Sequence, residues 1–202
     1  MSNTLPGPLR DLVEQFSSFP GVGPKSALRM AMTLLKWPEE KTRDLGRRIQ
    51  KLRDSLCICS QCRTLSDSDP CTICLDPGRS NGQLCIVAEW DSLLSMEEAG
   101  FFRGRYFVLG GLLSPLEGVS SRNLEIDALH DRLGRGDINE VILALGTIME
   151  AENTGSFLRD MLEKKFPHIT LTRLAQGIPL GSELKYIDRD TLRQSLEYRQ
   201  NF

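Results

Sequence analysis

Four cysteines constrain this chain more than any other feature. Cys59-Ser-Gln-Cys62 and Cys71-Thr-Ile-Cys74 are two Cys-x-x-Cys knuckles separated by eight residues. Each knuckle turns two thiolates toward one ion, and two knuckles complete a tetrahedral four-cysteine shell with metal–sulfur distances of about 2.3 Å. Four thiolates leave no open coordination position, so the pattern predicts one structural zinc ion per chain and no metal catalysis at that site. The alternatives are disulfides, which a reducing compartment disfavours, and two metal-free thiol pairs. Cys57 is expected beside the site, because Cys57-x-Cys59 lacks the knuckle spacing. Cys85, inside Leu84-Cys85-Ile86-Val87, reads as a small buried hydrophobe.

A zinc knuckle pair is too small to account for the remaining sequence. The chain has 202 residues, 40% hydrophobic and 26% charged, enough for further cores. No run approaches the ~18 consecutive apolar residues of a membrane helix. Met1 to Leu12 has no basic-then-apolar order of a secretory signal. A membrane or secreted protein is therefore not expected. Aromatics at 6%, with abundant Leu, Ile and Val, argue against disorder. Net charge is −2, but it is unevenly spread: residues 1–55 carry 10 Lys/Arg against 6 Asp/Glu, and residues 81–202 carry 13 against 18. Any polyanion contact belongs in the first quarter, unless that excess is only a solvated helical face.

Hydrophobic periodicity places a helix over 8–18, with Leu9, Leu12, Val13 and Phe16 on one face. A second helix starts at Pro24 and packs through Ala27, Leu28, Met30, Ala31, Leu34 and Leu35. A third runs from Pro38 to about Leu56, with Leu45, Ile49, Leu52 and Leu56 inward and Lys41, Arg43, Arg47, Arg48, Lys51 and Arg53 outward. From Leu84 short apolar runs alternate with amphipathic stretches. Strands are expected at 84–88, 105–109, 139–145 and 169–173, and helices at 91–99, 122–133 and 151–166. That alternation predicts a mainly parallel sheet with crossover helices. A loop, Gly177-Ile178-Pro179-Leu180-Gly181, and a helix near 188–199 follow. His130 and His168 lie far from the knuckles and read as surface or helix-end residues.

Pro20-Gly21-Val22-Gly23 joins the first two helices as a hairpin. Gly21 and Gly23 permit backbone conformations closed to other residues. The loop amides and the N-terminus of the helix beginning at Pro24 then offer an anion site suited to a DNA phosphate. Lys25 and Arg29, four apart, share a helical face and could reach adjacent phosphates. Gly23-Pro24-Lys25-Ser26 is not the end of a nucleotide-binding P-loop, because Pro24 stands where Gly is needed and a helix precedes it. Ser26 likewise replaces the third glycine of a dinucleotide fingerprint. The plain alternative is a tight turn without a ligand.

A helix-hairpin-helix, a four-cysteine knuckle pair and an α/β unit, in this order, resemble the RecR family of bacterial recombination mediators. The resemblance spans nearly the whole chain. It rests on residues 19–27, on Cys59-x2-Cys62-x8-Cys71-x2-Cys74, and on Tyr106 through Gly118. It continues through Glu140-Val141-Ile142-Leu143-Ala144 and Thr172 through Gly181. It implies an α+β, multi-module chain. Residues 1–56 are then a helix-hairpin-helix DNA-binding module, 57–80 a four-cysteine zinc finger, 81–173 a Toprim domain with a mainly parallel sheet, and 174–202 an assembly segment. It also implies a homotetrameric ring that clamps single-strand/duplex DNA without sequence preference. With RecO, and in some contexts RecF, such a ring helps load the RecA recombinase onto gapped DNA, in the cytoplasm at the nucleoid. Lys25 and Arg29 match hairpin positions that contact DNA in this family, and with Gly21 and Gly23 they make up the expected DNA-binding set.

Toprim enzymes hold Mg²⁺ with a Glu after the first strand and an Asp-x-Asp after a later one. Here that Glu falls on Ala88, with Glu89 one residue late, and no Asp-x-Asp follows any expected strand. Gly146-Thr147 stands where relatives carry Asn-Pro. The metal cluster needed for phosphoryl transfer reads as incomplete, so no enzyme is expected. Glu89, Asp91, Glu117, Glu150 and Glu152 remain as an acidic surface for a basic partner, or as ordinary solvated acids. The competing readings are a metal-dependent Toprim nuclease or primase-like transferase, and a zinc-stapled protein adaptor. The first predicts Mg²⁺-dependent cleavage abolished by Glu89→Ala.

Overall fold

A computed structural model describes residues 5–199, except for the side chain of Glu117. The chain divides into two compact units, Met1–Leu56 and Cys57–Phe202.

The first unit is helical. Helices α1 (Gly7–Ser17) and α2 (Pro24–Lys36) pack through Val13, Ala27 and Ala31, with Leu9, Leu12, Phe16, Val22 and Leu28 closing around them. Ala27 and Ala31 lie one turn apart, and their small side chains let α1 approach closely. Both helices begin at proline-containing first turns, where the missing N–H costs nothing. Helix α3 (Glu39–Lys51) departs from expectation, because none of its residues is buried. Leu45 is half-buried, and Ile49, Leu52 and Leu56 are exposed rather than inward. On α2, Met30 and Leu35 also face outward. The reason is geometric: α1 already occupies the inner stripe of α2, leaving no second apolar surface in so small a unit. Thr42 Oγ1 donating to the Leu34 carbonyl at 3.0 Å ties α3 back to α2.

The second unit opens with the knuckles. Strands β1 (Cys57–Ile58) and β2 (Leu65–Ser66) form an antiparallel ribbon, and the short helix α4 (Thr72–Leu75) holds Cys74, with Cys71 at its N-cap. A four-stranded sheet follows, built from β3 (Gln83–Val87), β4 (Arg105–Val108), β5 (Glu140–Ala144) and β6 (Thr170–Arg173). Its order is β4-β3-β5-β6, and every pairing is parallel. The intervening helices are α5 (Trp90–Ala99), α6 (Ile126–Leu133) and α7 (Met149–Lys165), with α8 (Arg189–Glu197) at the end.

Strand alternation sorts the core into two layers. Leu84, Ile86, Phe107 and Val141 face α6 and α7, where Leu129, Leu133, Leu158 and Leu162 are buried. Cys85, Val87, Tyr106 and Val108 face the other way, under Leu93 of α5. Cys85 is fully buried, as its apolar neighbours predict, and burial pushes its thiol up to about 12. Ile73, between the ligands Cys71 and Cys74, packs against both this layer and the cysteine cluster. The sheet therefore serves as the floor on which the knuckles stand.

Candidate metal centre and nucleic-acid interface

The sulfurs of Cys59, Cys62, Cys71 and Cys74 lie within 4.8 Å of one another, and all four residues are buried. Cys59 and Cys74 sulfurs are 3.9 Å apart, and those of Cys62 and Cys71 are 3.6 Å apart. Tetrahedral zinc with ~2.3 Å bonds needs sulfurs about 3.8 Å apart, so the pocket fits the ion. The backbone supports the thiolates: Cys71 N–H donates to Cys59 Sγ at 3.4 Å, and Gln61 N–H donates to it at 3.5 Å. Without a cation the thiols compete for one charge. Hydrogen bonding from neighbouring thiols, Cys62 foremost, pulls Cys74 down to about 6, while burial pushes Cys71 up to about 11. A dication allows all four to ionise together. Cys57 stands outside the shell, its thiol donating to the Ser66 carbonyl at 3.4 Å.

The first knuckle is closed by Cys59 N–H to Thr64 O at 2.8 Å and Arg63 N–H to Cys59 O at 3.0 Å. This turn puts Arg63 at φ 62°, a left-handed conformation unusual for a side-chain-bearing residue. The same turn is joined to the rest of the second unit at three points. Val108 N–H, on edge strand β4, donates to the Cys62 carbonyl at 2.8 Å. Trp90 Nε1 donates to the Arg63 carbonyl at 3.0 Å. Arg63 Nη2 donates to Glu125 Oε1 at 2.9 Å. Sequence reasoning missed this junction entirely, since its partners lie 27 and 62 residues from Arg63. A second junction runs from Arg79 to the Glu97 carboxylate, with both contacts under 3 Å.

In the helical unit, Gly21 has φ +76°, inside the left-handed region, and turns the chain between α1 and α2. Gly23 does not: it caps α2 at φ −78°, ψ 166°, a conformation open to any residue. The expectation that both glycines need special backbone freedom holds only for Gly21. No side chain caps α2, which leaves its N-terminal dipole available to an anion. Lys25 and Arg29 are exposed and have no ion-pair partner among the described residues. The basic face of α3 is different. Arg43 pairs with Glu39 at 2.5 Å, and Arg48 and Arg47 pair with Asp44 at 2.7 and 3.5 Å. Lys41 sits 3.9 Å over the Trp37 ring. Lys51 and Arg53, at the end of α3, are like Lys25 and Arg29 exposed with no ion-pair partner among the described residues.

The acidic residues do not assemble into one group. Ala88 is buried in the sheet core, and its carbonyl accepts from Gly110 and Gly111 N–H at 2.9 Å each. Glu89 is exposed at the cap of α5. Asp91 accepts from its neighbour Ser92 N–H at 2.6 Å. Glu150 and Glu152 lie in the first turn of α7, and Glu152 meets Arg173 and Gln176 at 3.4 Å. These last three border a cleft of about 1130 Å³ between the ends of β5 and β6 and helix α8. The side chain of Glu117 lies outside the described residues. Among the described residues, the four cysteines are the only set of three or more metal-ligating side chains brought together. No described helix is long and apolar enough to cross a membrane.

Comparison with known proteins agrees with this arrangement segment by segment. Residues 9–53 match the RecR helix-hairpin-helix family and residues 56–76 the RecR four-cysteine zinc finger domain. Residues 82–175 match the Toprim domain and residues 177–200 the RecR C-terminal family. Recombination protein RecR of Nitratidesulfovibrio vulgaris is 57% identical over 197 residues, covering 98% of each chain. That of Maridesulfovibrio salexigens is 56% identical, covering 97% of this chain and 98% of its own. That of Porphyromonas gingivalis is 41% identical, covering 96% and 93%. With the knuckles, the hairpin and the parallel sheet in matching order, the chain belongs to the RecR family of recombination proteins.

Proposed function

We propose that this chain is a non-enzymatic, sequence-nonspecific DNA clamp and adaptor in recombinational repair. It acts with RecO, and in some contexts RecF, to help load RecA on gapped single-stranded DNA at the nucleoid. The observation that carries the reading is the pair Lys25 and Arg29. They stand exposed and unpaired one turn apart on α2, directly after the Gly21 turn. Exposed cations without acidic partners are what a phosphate backbone recruits, and a hairpin contact of this kind reads backbone rather than bases. Residues 1–56 hold DNA, 57–80 hold zinc, and the Toprim part over 81–173 presents acids such as Glu89 and Asp91 to a basic partner.

Ring assembly is supported by what one chain leaves uncovered. Leu35 on α2 is 69% exposed and Ile49 on α3 62% exposed, apolar side chains expected to meet another subunit. Leu180, Leu184 and Leu196, in the segment 174–202, are exposed as well. A closed ring retains DNA by topology, which makes a net charge of −2 compatible with the task. Deleting residues 1–30 is expected to reduce the assembly in light scattering; an unchanged particle would remove the helical unit from ring formation.

Anisotropy titration of a labelled single-strand/duplex junction tests the reading. Wild type should bind at low salt, and the Lys25→Ala/Arg29→Ala variant, still folded, should not. Equal binding by both places DNA elsewhere.

A further inference from the structure

Phe19 stands at the mouth of the hairpin and does not join the core of its unit. Its neighbours Phe16 and Val22 pack on Val13, Ala27 and Ala31, whereas Phe19 is outside that cluster and 60% exposed. Its backbone is held on both sides. Phe19 N–H donates to Phe16 O at 3.2 Å, and Phe19 O accepts from Val22 N–H at 3.1 Å. No aromatic ring or cation pairs with it among the described residues. A rigid turn thus keeps a large apolar ring in water, against the hydrophobic effect. The unpaired Lys25 and Arg29 follow Phe19 by six and ten residues, in the helix that the turn leads into.

A ligand matching this combination has a flat apolar face beside an anionic group. An unpaired nucleotide has both; duplex DNA offers its phosphates but keeps its base faces stacked. We infer that Phe19 is a stacking platform for an unpaired nucleobase whose flanking phosphates are held by Lys25 and Arg29. The hairpin then distinguishes single-stranded DNA and junction ends from duplex without reading base identity. The inference rests on the DNA-binding role proposed above and assigns the strand preference to one residue.

The test measures dissociation constants for three fluorescent DNAs: a single-stranded oligonucleotide, the same strand with abasic residues, and a blunt duplex. Aromatic–base stacking lost to alanine corresponds to about a tenfold or greater weakening. Phe19→Ala should show that loss on the single strand, with the abasic strand and duplex changed less than about twofold. Phe19→Leu keeps apolar bulk without a π face and should behave like alanine; Phe19→Trp should restore wild-type preference. Equal affinity of Phe19→Ala and wild type on all three DNAs overturns the inference. So does an equal loss on all three with a smaller particle in light scattering, which would make Phe19 a subunit contact. Failure of the underlying reading looks different: wild type then binds none of the DNAs, or Lys25→Ala/Arg29→Ala binds them all normally.

Discussion

Removing zinc should loosen one edge of the Toprim sheet while leaving its centre intact. The knuckle turn Cys59–Thr64 touches the sheet unit through Val108 N–H on Cys62 O, Trp90 Nε1 on Arg63 O, and Arg63 on Glu125. The metal holds Cys59 and Cys62 to Cys71 and Cys74, so without it the turn loses its anchor. The two neutral hydrogen bonds are worth about 0.5–1.5 kcal/mol each. The Arg63–Glu125 pair is about one-third exposed, which limits it to roughly 0.2–1 kcal/mol. Together these give about 1–4 kcal/mol, or a fivefold to several-hundred-fold drop in protection of the Val108 amide. Strand β3, paired on both sides by β4 and β5, should keep its protection. Hydrogen exchange of peptides covering 104–112 and 83–88, before and after chelation, reads both. Trp90 fluorescence in a Trp37→Phe variant supplies a second signal, because Trp37 and Trp90 are the only tryptophans. Its emission should move to longer wavelength as the indole loses Arg63 O. Metal analysis showing zinc gone, with Val108 exchange and Trp90 emission unchanged, would refute the coupling.

Three further outcomes are expected. Losing two phosphate contacts in Lys25→Ala/Arg29→Ala should flatten the plot of log affinity against log salt by about 1.4 on single strands and about 1.8 on duplex; an unchanged slope wherever binding remains measurable would show that neither residue meets phosphate. Gly21→Ala places a Cβ in the left-handed region and should cost about 1–2 kcal/mol. Gly23→Ala meets open space at an ordinary φ and should lower the melting midpoint less, so equal shifts would contradict the turn geometry. The buried Arg132 holds the Asp137 carboxyl below the usual carboxylate range, chiefly by hydrogen bonding. A depressed pKa contributes stability that is present above the unfolded value near 4 and is lost as pH falls through the folded one. Asp137→Asn should therefore melt well below wild type at pH 7, with the gap closing under strong acid; a gap independent of pH would mean that the carboxylate charge does not matter.

How much of this is legible in the sequence depends on how local each determinant is. The four-cysteine shell is readable because spacing alone brings the thiolates together, and the structure places their sulfurs where zinc needs them. Strands β3 and β4 are readable because Leu84-Cys85-Ile86-Val87 and Tyr106-Phe107-Val108 are buried on both faces, which leaves unbroken apolar runs. Lys25 and Arg29 are readable as an exposed pair, since helical periodicity fixes their common face. The α3 error has a specific cause. Periodicity reports that Ile49 and Leu52 share a side, but not whether anything covers it, and here none of the described residues does. Gly23 misled in the opposite direction, because glycine identity signals permission for a positive φ, not its use. The Arg63 junction was illegible for a third reason. A carbonyl in a turn, an indole at a helix start and an edge-strand amide carry no pattern until the fold apposes them. The metal site read from spacing therefore also supplies the Cys62 carbonyl that pairs the outward amide of Val108 on edge strand β4.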